Sequence, residues 1–233
     1  MPTADTVEVI YNDHYAGFRE DPVFHRAASR VLAEEIAARV PPPARLLDVG
    51  CGNGEFLAIA RGAGYEVEGI DVSTSAQTLC RERGISVRVG DLRSAASFAA
   101  DERFDVITFW DVVEHLPDPR SFLDRSRELL GPDGHVLIKT PRTSPTSVRI
   151  AAAMPRLGRP LLQAPSHLQY FQRSGLARLL RDAGFGIQHW VDVHAMRAAA
   201  TGGSVWRRAT RLAMRVLREA AGDGNLLVLA QRT

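Results

Sequence analysis

The sequence has 233 residues, 45% of them hydrophobic and 24% charged, and a formal net charge of +2. These values fit one globular α/β domain and exclude a disordered or fibrous chain. No apolar run approaches the roughly 20 residues of a membrane-spanning helix, and the N-terminus lacks the features of a signal peptide. We therefore expect a cytoplasmic protein, and the small net charge gives no reason to expect a nucleic-acid partner.

Residues 1–233 are expected to form a single domain with a helical flap at 1–40, a cofactor-binding core at 41–144 and cap insertions at 145–165 and 195–222. The flap ends in an amphipathic pattern that three consecutive prolines stop. The core alternates short apolar runs with helical stretches, which is typical of a parallel sheet wrapped by helices. The insertions are rich in arginine, so they predict a helical cap with a positive surface.

The core pattern predicts an α/β fold with a doubly wound, seven-stranded and mostly parallel sheet. Short apolar runs predict strands at 45–49, 66–70, 86–89, 104–110 and 134–140. Residues 186–193 and 225–232 are apolar enough to complete the sheet as its antiparallel edge. Helical patterns cover residues 22–40, 54–63, 73–83, 119–131 and 175–183. Ser174 is expected to cap the last of these helices.

A glycine-rich loop follows the first predicted strand, with the sequence Asp48-Val-Gly50-Cys51-Gly52-Asn-Gly54. Glycines allow positive φ angles and let a ligand approach the main chain closely, while Cys51 is a small filler whose backbone amide faces the ligand. A pyrophosphate requires unobstructed amides at a helix N-terminus, and Asp48 suits it poorly. The acid suits a ligand that carries an ammonium group.

Further candidate ligand contacts stand at the ends of the following strands. Asp71 lies about 20 residues after the loop, where a carboxylate accepts hydrogen bonds from both hydroxyls of a ribose. Val72 follows it directly. Asp91 can meet an adenine amine, and its apolar neighbour Leu92 can cover the ring. Trp110 ends the fourth strand, at the carboxyl edge where open α/β sheets bind their ligands.

These motifs together resemble the class I S-adenosylmethionine-dependent methyltransferases over about residues 30–190. The resemblance rests on five segments in family order: residues 46–54, 69–73, 90–92, 104–119 and 129–141. The pattern is most similar to ubiquinone-type O-methyltransferases and other small-molecule methyltransferases. The resemblance implies a Rossmann-like fold with a β6–β7 hairpin, S-adenosylmethionine as the cofactor, and methyl transfer to a small-molecule acceptor. A hydroxyl of a quinone precursor or secondary metabolite is the favoured acceptor.

The same resemblance points to candidate bases and lid residues. His167 matches a histidine that relatives carry on the lid facing the transferred methyl, and a neutral imidazole can take a hydroxyl proton. His115 is the second candidate base. Tyr170 stands in the same segment as His167. Tyr11 and Tyr15 belong to an N-terminal segment that relatives fold over the cofactor, so we expect them to close the site.

A divalent metal is the less favoured alternative at this site. Asp111, Glu114 and His115 are similar to the Glu-x-x-Glu-His motif that supplies metal ligands in ubiquinone-type O-methyltransferases and in small-RNA 3′-end methyltransferases. The first position here is Asp111, which is one methylene shorter than glutamate. Many relatives carry the Glu-His-Leu-Pro-Asp-Pro sequence without a metal, so Glu114 and His115 are expected to fix the loop.

Residues 205–220 form a basic amphipathic pattern with apolar and arginine-rich faces. Such a helix can lie on an anionic membrane surface, although a lid or homodimer element with a solvated charged face is the favoured interpretation. Three other functions remain open: N- or C-methylation of a natural product, methylation of RNA or protein, and cofactor binding without catalysis. The cap has few aromatic residues for base stacking, which disfavours RNA.

Overall fold

The computed structural model describes residues 21–94, 97–153, 162, 166–191 and 224–233. Tyr11, Tyr15 and the insertion at 195–222, with its basic pattern at 205–220, lie outside the described residues. Within the described part, no helix has the length and apolar character that crossing a lipid bilayer requires.

Seven strands form one sheet, and helices follow the strands along the chain. The strands are β1 Arg45–Val49, β2 Glu66–Asp71, β3 Val87–Val89, β4 Phe104–Trp110, β5 Leu130–Arg142, β6 Phe185–Trp190 and β7 Gly224–Arg232. The described α-helices are α1 Pro22–Val31, α2 Glu55–Gly62, α3 Thr74–Glu82, α4 Pro119–Leu129, α5 Pro145–Ala153 and α6 Arg173–Asp182.

The sheet has the strand order β3-β2-β1-β4-β5-β7-β6. The strands from β1 to β5 pair in parallel, whereas β7 is antiparallel to both β5 and β6. The predicted fold is therefore confirmed, including antiparallel pairing at this edge. The antiparallel strand itself is β7, which lies second from the end, and β6 is the outermost strand of the hairpin.

Apolar side chains on the two faces of the sheet pack against different helices. On one face, Phe109 of β4 belongs to a buried cluster with Leu123 of α4 and Leu176 of α6. On the other face, Val106 of β4 belongs to a cluster with Phe56 of α2. Parallel strands covered on both faces are expected to be almost continuously apolar, as these are. Both faces are covered, which makes the sheet doubly wound.

The helix predicted over residues 22–40 is shorter and less regular than expected. Its regular part is α1, which continues as a π-helical segment at Leu32–Ile36. Asp21 caps the start of α1, because its Oδ1 accepts a 2.8 Å hydrogen bond from the amide of Val23. A π-helical segment has wider hydrogen-bonded turns, and a periodicity pattern of apolar residues does not distinguish it from an α-helix.

Candidate functional site

The glycine loop makes a tight turn between β1 and α2. Gly50, Gly52 and Gly54 have φ angles of 69°, 54° and 71°. The amide of Gly50 donates a 2.7 Å hydrogen bond to the carbonyl of Ile70, which ties the loop to β2. A Cβ atom on Gly50 would lie 2.6 Å from a methyl group of Val112. The loop therefore needs glycine at this position for both conformation and space.

Asp71 shapes this loop with its side chain. Its Oδ2 accepts a 3.0 Å hydrogen bond from the amide of Gly52, and its Oδ1 accepts a 2.9 Å bond from the amide of Ser73. Only 4% of the residue is exposed. A carboxylate can accept about four hydrogen bonds, so these two do not preclude bonds to ribose hydroxyls. The sequence predicted a ligand contact but not this role in holding the loop.

Asp48 is a buried carboxyl group at the end of β1. It pairs in register with Thr108 of β4, whose Oγ1 donates a 2.6 Å hydrogen bond to Asp48 Oδ1. Burial raises the pKa of Asp48 to about 8; the Thr108 bond opposes the rise, and the charge of Asp71 adds to it. A carboxyl group in this environment is stabilised in its charged form when a cation approaches. Thr108 was missed in the sequence because its role depends on strand order.

Cys51 fills space behind the loop. A Cβ atom on Gly69 of β2 would lie 2.6 Å from Cys51 Sγ, so the thiol occupies the gap that this glycine leaves. Contact with Cys80 and burial together raise the pKa of the Cys51 thiol. Cys80 Sγ in turn donates to the carbonyl of Gly52 over 3.4 Å. Both thiols are buried, which makes them packing groups that support the loop.

The predicted adenine contacts differ in their exposure. Val72 is 40% exposed, whereas Leu92 is 1% exposed and belongs to the core. Val72 is therefore the one of these two apolar side chains that solvent reaches. Asp91 forms an ion pair with Arg93, with 2.6 Å between Oδ2 and Nη2. Partial burial opposes the effect, but the hydrogen bonds from Arg93 lower the pKa of Asp91 overall.

Trp110 links the end of β4 to the helices beside it. Its ring centroid lies 4.8 Å from that of Phe56 and 5.5 Å from that of Phe24. The residue is 9% exposed, and its indole Nε1 is buried without a hydrogen-bond partner among the described residues. The ring therefore packs between α1 and α2 at the edge of the sheet where ligands are expected.

Two histidines from distant segments meet just after β4. His115 ends a short 3₁₀ turn at Val113–His115, and its Nδ1 lies 2.8 Å from the carbonyl oxygen of Ser166. The rings of His115 and His167 stand edge to face, with 4.9 Å between their centroids. The amides of Leu168 and Gln169 donate to the carbonyl of Glu114 over 2.8 and 2.9 Å. Backbone bonds thus hold the lid segment against this turn, and both candidate bases share one site.

Glu114 lies close to the two histidines and is 1% exposed. Its Oε2 accepts a 2.9 Å hydrogen bond from Thr140 Oγ1, and its Oε1 is buried without a partner in the described part of the chain. Burial, with a smaller contribution from the charge of Asp111, raises the pKa of Glu114 to about 7. Three side chains, those of Glu114, His115 and His167, each offer one possible metal-ligand atom. These three atoms lie within 4.8 Å of one another.

Asp111 does not join this group of ligand atoms. Its side chain forms an ion pair with Lys139, and its amide donates to the Lys139 carbonyl over 2.9 Å. The group that the geometry brings together therefore contains His167 in place of Asp111. A carboxylate and two imidazoles are donors that divalent metals accept, and the unpartnered Glu114 Oε1 is consistent with a ligand there.

The segment after His167 leads into α6. Tyr170 is 38% exposed, and the amide of Thr143 donates a 3.0 Å bond to the carbonyl of the next residue, Phe171. Helix α6 begins at Arg173 with Gln172 as its N-cap. The prediction of Ser174 as the cap is wrong, because the helix begins two residues earlier than predicted, which places Ser174 inside the first turn.

Comparisons with known proteins agree with these features. A family model described as a methyltransferase domain matches residues 19–189. A ubiquinone biosynthesis O-methyltransferase of Thiobacillus denitrificans is 34% identical over 148 residues, which cover 60% of this chain and 63% of that protein. The chain thus spans less than two thirds of that relative. The protein of the same name from Xanthomonas axonopodis pv. citri is 30% identical over 198 residues, covering 81% of this chain and 79% of that protein.

Solved structures share the fold at lower sequence identity. The cyclase SpnF has a TM-score of 0.65 and 22% identity, with 99% of this chain and 96% of that chain covered. The 1,6-didemethyltoxoflavin-N1-methyltransferase of Burkholderia thailandensis, solved with S-adenosylhomocysteine, has a TM-score of 0.64 and 20% identity, with coverages of 99% and 87%. These two structures show only that the fold is shared. The family is shown by the methyltransferase-domain model, which matches most of the chain. The chain therefore belongs to the S-adenosylmethionine-dependent methyltransferases.

Proposed function

We propose that this chain transfers the methyl group of S-adenosylmethionine to a hydroxyl group of a small molecule, either a quinone precursor or a secondary metabolite. The observation that carries the proposal is the convergence of Glu114, His115 and His167 within 4.8 Å, beside the turn that ends β4. The 30–34% identity to ubiquinone biosynthesis O-methyltransferases supports a hydroxyl as the acceptor.

The carboxylates along the sheet edge suit the polar ends of this cofactor. Asp48, with a pKa of about 8, pairs with the ammonium group, and Asp71 accepts bonds from the ribose hydroxyls. The exposed Val72 covers one face of the adenine, and Asp91 meets its amine. Asp71 also holds the loop amides, so Asp71→Ala is expected to abolish measurable binding of S-adenosylhomocysteine in calorimetry.

The acceptor hydroxyl attacks the methyl carbon in line with the departing sulfur. The new O–C bond forms as the C–S bond breaks, the sulfonium becomes a neutral thioether, and the hydroxyl proton passes to His167. Alignment supplies most of the rate enhancement, and a positioned base adds about 10²–10⁴-fold. His115 directs Nδ1 to the Ser166 carbonyl, which places the lone pair on Nε2. Glu114 stabilises the imidazolium that forms.

A divalent cation is the second candidate for this cluster, because the donor atoms of Glu114, His115 and His167 fit one. Such an ion would act as a Lewis acid that lowers the pKa of a bound hydroxyl. In its absence the same three side chains hold and move the proton, so we expect the transfer not to require metal. Methylation of nitrogen or carbon, or of RNA or protein, and a non-catalytic role are the alternatives.

We place the protein in the cytoplasm with a small-molecule acceptor and no nucleic-acid partner. Contact with a membrane surface, or a homodimer, would involve residues 205–220, outside the described part of the chain. Salt-dependent binding of a generic RNA would favour an RNA substrate instead. Cofactor binding that survives loss of both histidines, with no turnover on any acceptor, would favour a non-catalytic module.

The test uses methyl-labelled S-adenosylmethionine with catechol-type acceptors and with matched amines. We expect label in O-methylated products, a kcat about 10²–10⁴-fold lower for His167→Ala, and no change for His189→Ala. His189 is a suitable control because it is an exposed histidine on the outermost strand, 3.9 Å from Glu35 and away from the cluster. Label found in the amines alone, or full turnover by His167→Ala, would contradict the proposal.

A further inference from the structure

A cavity of about 460 Å³ opens where β5 ends and α6 begins. Arg142, which ends β5, lines the cavity together with Thr143 and Ser144 directly after it. Arg173 and Trp190 also line it. The described lining contains two arginines and several hydroxyl groups but neither aspartate nor glutamate. The cavity is therefore positively charged as well as concave.

The two arginines of this cavity lack acidic partners among the residues that the structure describes. Arg142 and Arg173 are both exposed, and neither forms an ion pair or a side-chain hydrogen bond within the described part of the chain. Some other exposed arginines form ion pairs, for example Arg120 with Asp124 at 2.8 Å. The guanidinium of Arg173 lies 4.7 Å from the ring centroid of Trp190, which orients it over the cavity wall. Two guanidinium groups that no described acidic residue neutralises thus share one concave surface.

The backbone around the cavity adds to its positive potential. Helix α6 begins at Arg173, and its N-cap Gln172 makes no side-chain hydrogen bond to the first turn. Helix α5 begins at Pro145, directly after Ser144. Amide groups at helix N-termini carry partial positive charge and favour anions. They reinforce the charge of the two arginines, whose planar forks bind carboxylate and phosphate groups with two parallel bonds.

The cavity adjoins the candidate bases because the same two segments build both. On β5, Thr140 binds Glu114, and Arg142 lies two residues further along, about 7 Å on the same side of the strand. Across from it, the segment that carries His167 pairs with β5 through Arg142 and Phe171. The cavity and the two histidines therefore lie along the same stretch of β5 and of the segment that carries His167.

We infer that this cavity binds an oxyanion of the acceptor, a carboxylate or a phosphate, so that the methylated compound is an anionic hydroxy compound. Arg142 and Arg173 hold the anionic group, the hydroxyls of Thr143 and Ser174 donate further hydrogen bonds, and Trp190 covers the adjoining apolar part. The inference rests on the proposed methylation of a small-molecule hydroxyl, and it names the acceptor class of that same site.

The test measures binding by calorimetry in the presence of S-adenosylhomocysteine. The probes are dihydrocaffeate, which is a catechol with a carboxylate on a short chain, and its uncharged methyl ester. We expect wild type to bind the acid at least about tenfold more tightly than the ester, and Arg142→Gln/Arg173→Gln to bind both equally. Arg81→Gln is the matched control, because Arg81 is exposed near the far end of α3 and should leave the preference intact.

Equal binding of acid and ester by wild type would overturn the inference without any variant. A preference for the acid that survives in the double variant would overturn it as well. Competition by inorganic phosphate and by acetate distinguishes phosphate from carboxylate as the preferred group. Binding and methyl transfer are measured separately, so the two proposals can fail independently. If both probes are O-methylated but bind equally, this inference fails and the proposed function stands. If the acid binds more tightly through the arginines but no hydroxyl is methylated, the proposed function fails and the oxyanion site stands.

Discussion

Asp48 and Thr108 are joined side chain to side chain across two parallel strands, with 2.6 Å between Asp48 Oδ1 and Thr108 Oγ1. Only 2% of Asp48 is exposed, and burial raises its pKa to about 8. Between about pH 4 and pH 8 the folded protein therefore keeps a proton that the unfolded chain releases. The native state binds more protons there, so the contribution of Asp48 to stability falls as the pH rises through this range.

The first prediction concerns the stability of Asp48→Asn. Asparagine can still accept the Thr108 hydrogen bond through Oδ1 but has no charge to bury. Without cofactor, we expect the free energy of unfolding of the variant to lack the pH dependence that Asp48 gives the wild type. The variant should therefore be more stable than wild type at high pH, by about 2–4 kcal/mol at about pH 9. Urea denaturation at about pH 5 and about pH 9 measures it, with Asp101→Asn as an exposed control. A gain that does not grow with pH would contradict this expectation.

The second prediction links the same carboxyl group to the cofactor. An ammonium group beside Asp48 stabilises the charged form and lowers its pKa, so binding below about pH 8 releases a proton. Affinity for S-adenosylhomocysteine should therefore increase as the pH rises towards 8. Calorimetry in buffers of different ionisation enthalpy counts the protons: we expect about one released by wild type at pH 7 and none by Asp48→Asn. Equal proton release by both would place the ammonium elsewhere.

Local patterns predicted the elements of this chain because strand and helix periodicities are short-range properties. Residues 45–49 and 104–110 were predicted as strands and are β1 and β4. The contact of Asp48 with Thr108 was not predictable in the same way, since it joins residues 60 apart through the register of two strands. Strand order and register follow from the packing of the whole sheet.

The same limit applied to the candidate site. His115 and His167 were each predicted as bases from motifs, but only the structure brings their rings to 4.9 Å. Asp111, Glu114 and His115 were the less favoured metal ligands, on the resemblance to a Glu-x-x-Glu-His motif. In the structure Lys139, which is the only lysine, pairs with Asp111 instead. The cavity of Arg142 and Arg173 could not be predicted from a local sequence pattern, because it is formed by the end of a strand and the start of a helix that are distant in sequence.

The third prediction compares two glycines close to the cofactor loop. A Cβ atom on Gly69 would lie 2.6 Å from Cys51 Sγ and 2.9 Å from Leu57 Cδ1, whereas one on Gly62 would meet nothing within 4 Å. We expect Gly69→Ala to lower the free energy of unfolding by about 1–3 kcal/mol through overpacking. Gly62→Ala, at the end of α2, should raise it by about 0.5–1 kcal/mol. Denaturant titrations of both variants check the difference, and equal effects would show that the loop packing accommodates a methyl group.

The last prediction separates proton transfer from metal binding at Glu114, His115 and His167. If the histidines act as the base, methyl transfer should be unchanged after treatment with a chelator. If a divalent ion is required, chelation should abolish transfer and added metal should restore it.

The variant Glu114→Gln distinguishes the base from the metal site further. It removes an anionic ligand, so a metal site should lose most of its affinity, measured by titration of the metal alone. A base supported by Glu114 loses only the stabilisation of its imidazolium, so we expect a moderately lower kcat with cofactor affinity intact. Loss of transfer on chelation, with recovery on addition of metal, would make the ion rather than His167 the group that activates the hydroxyl.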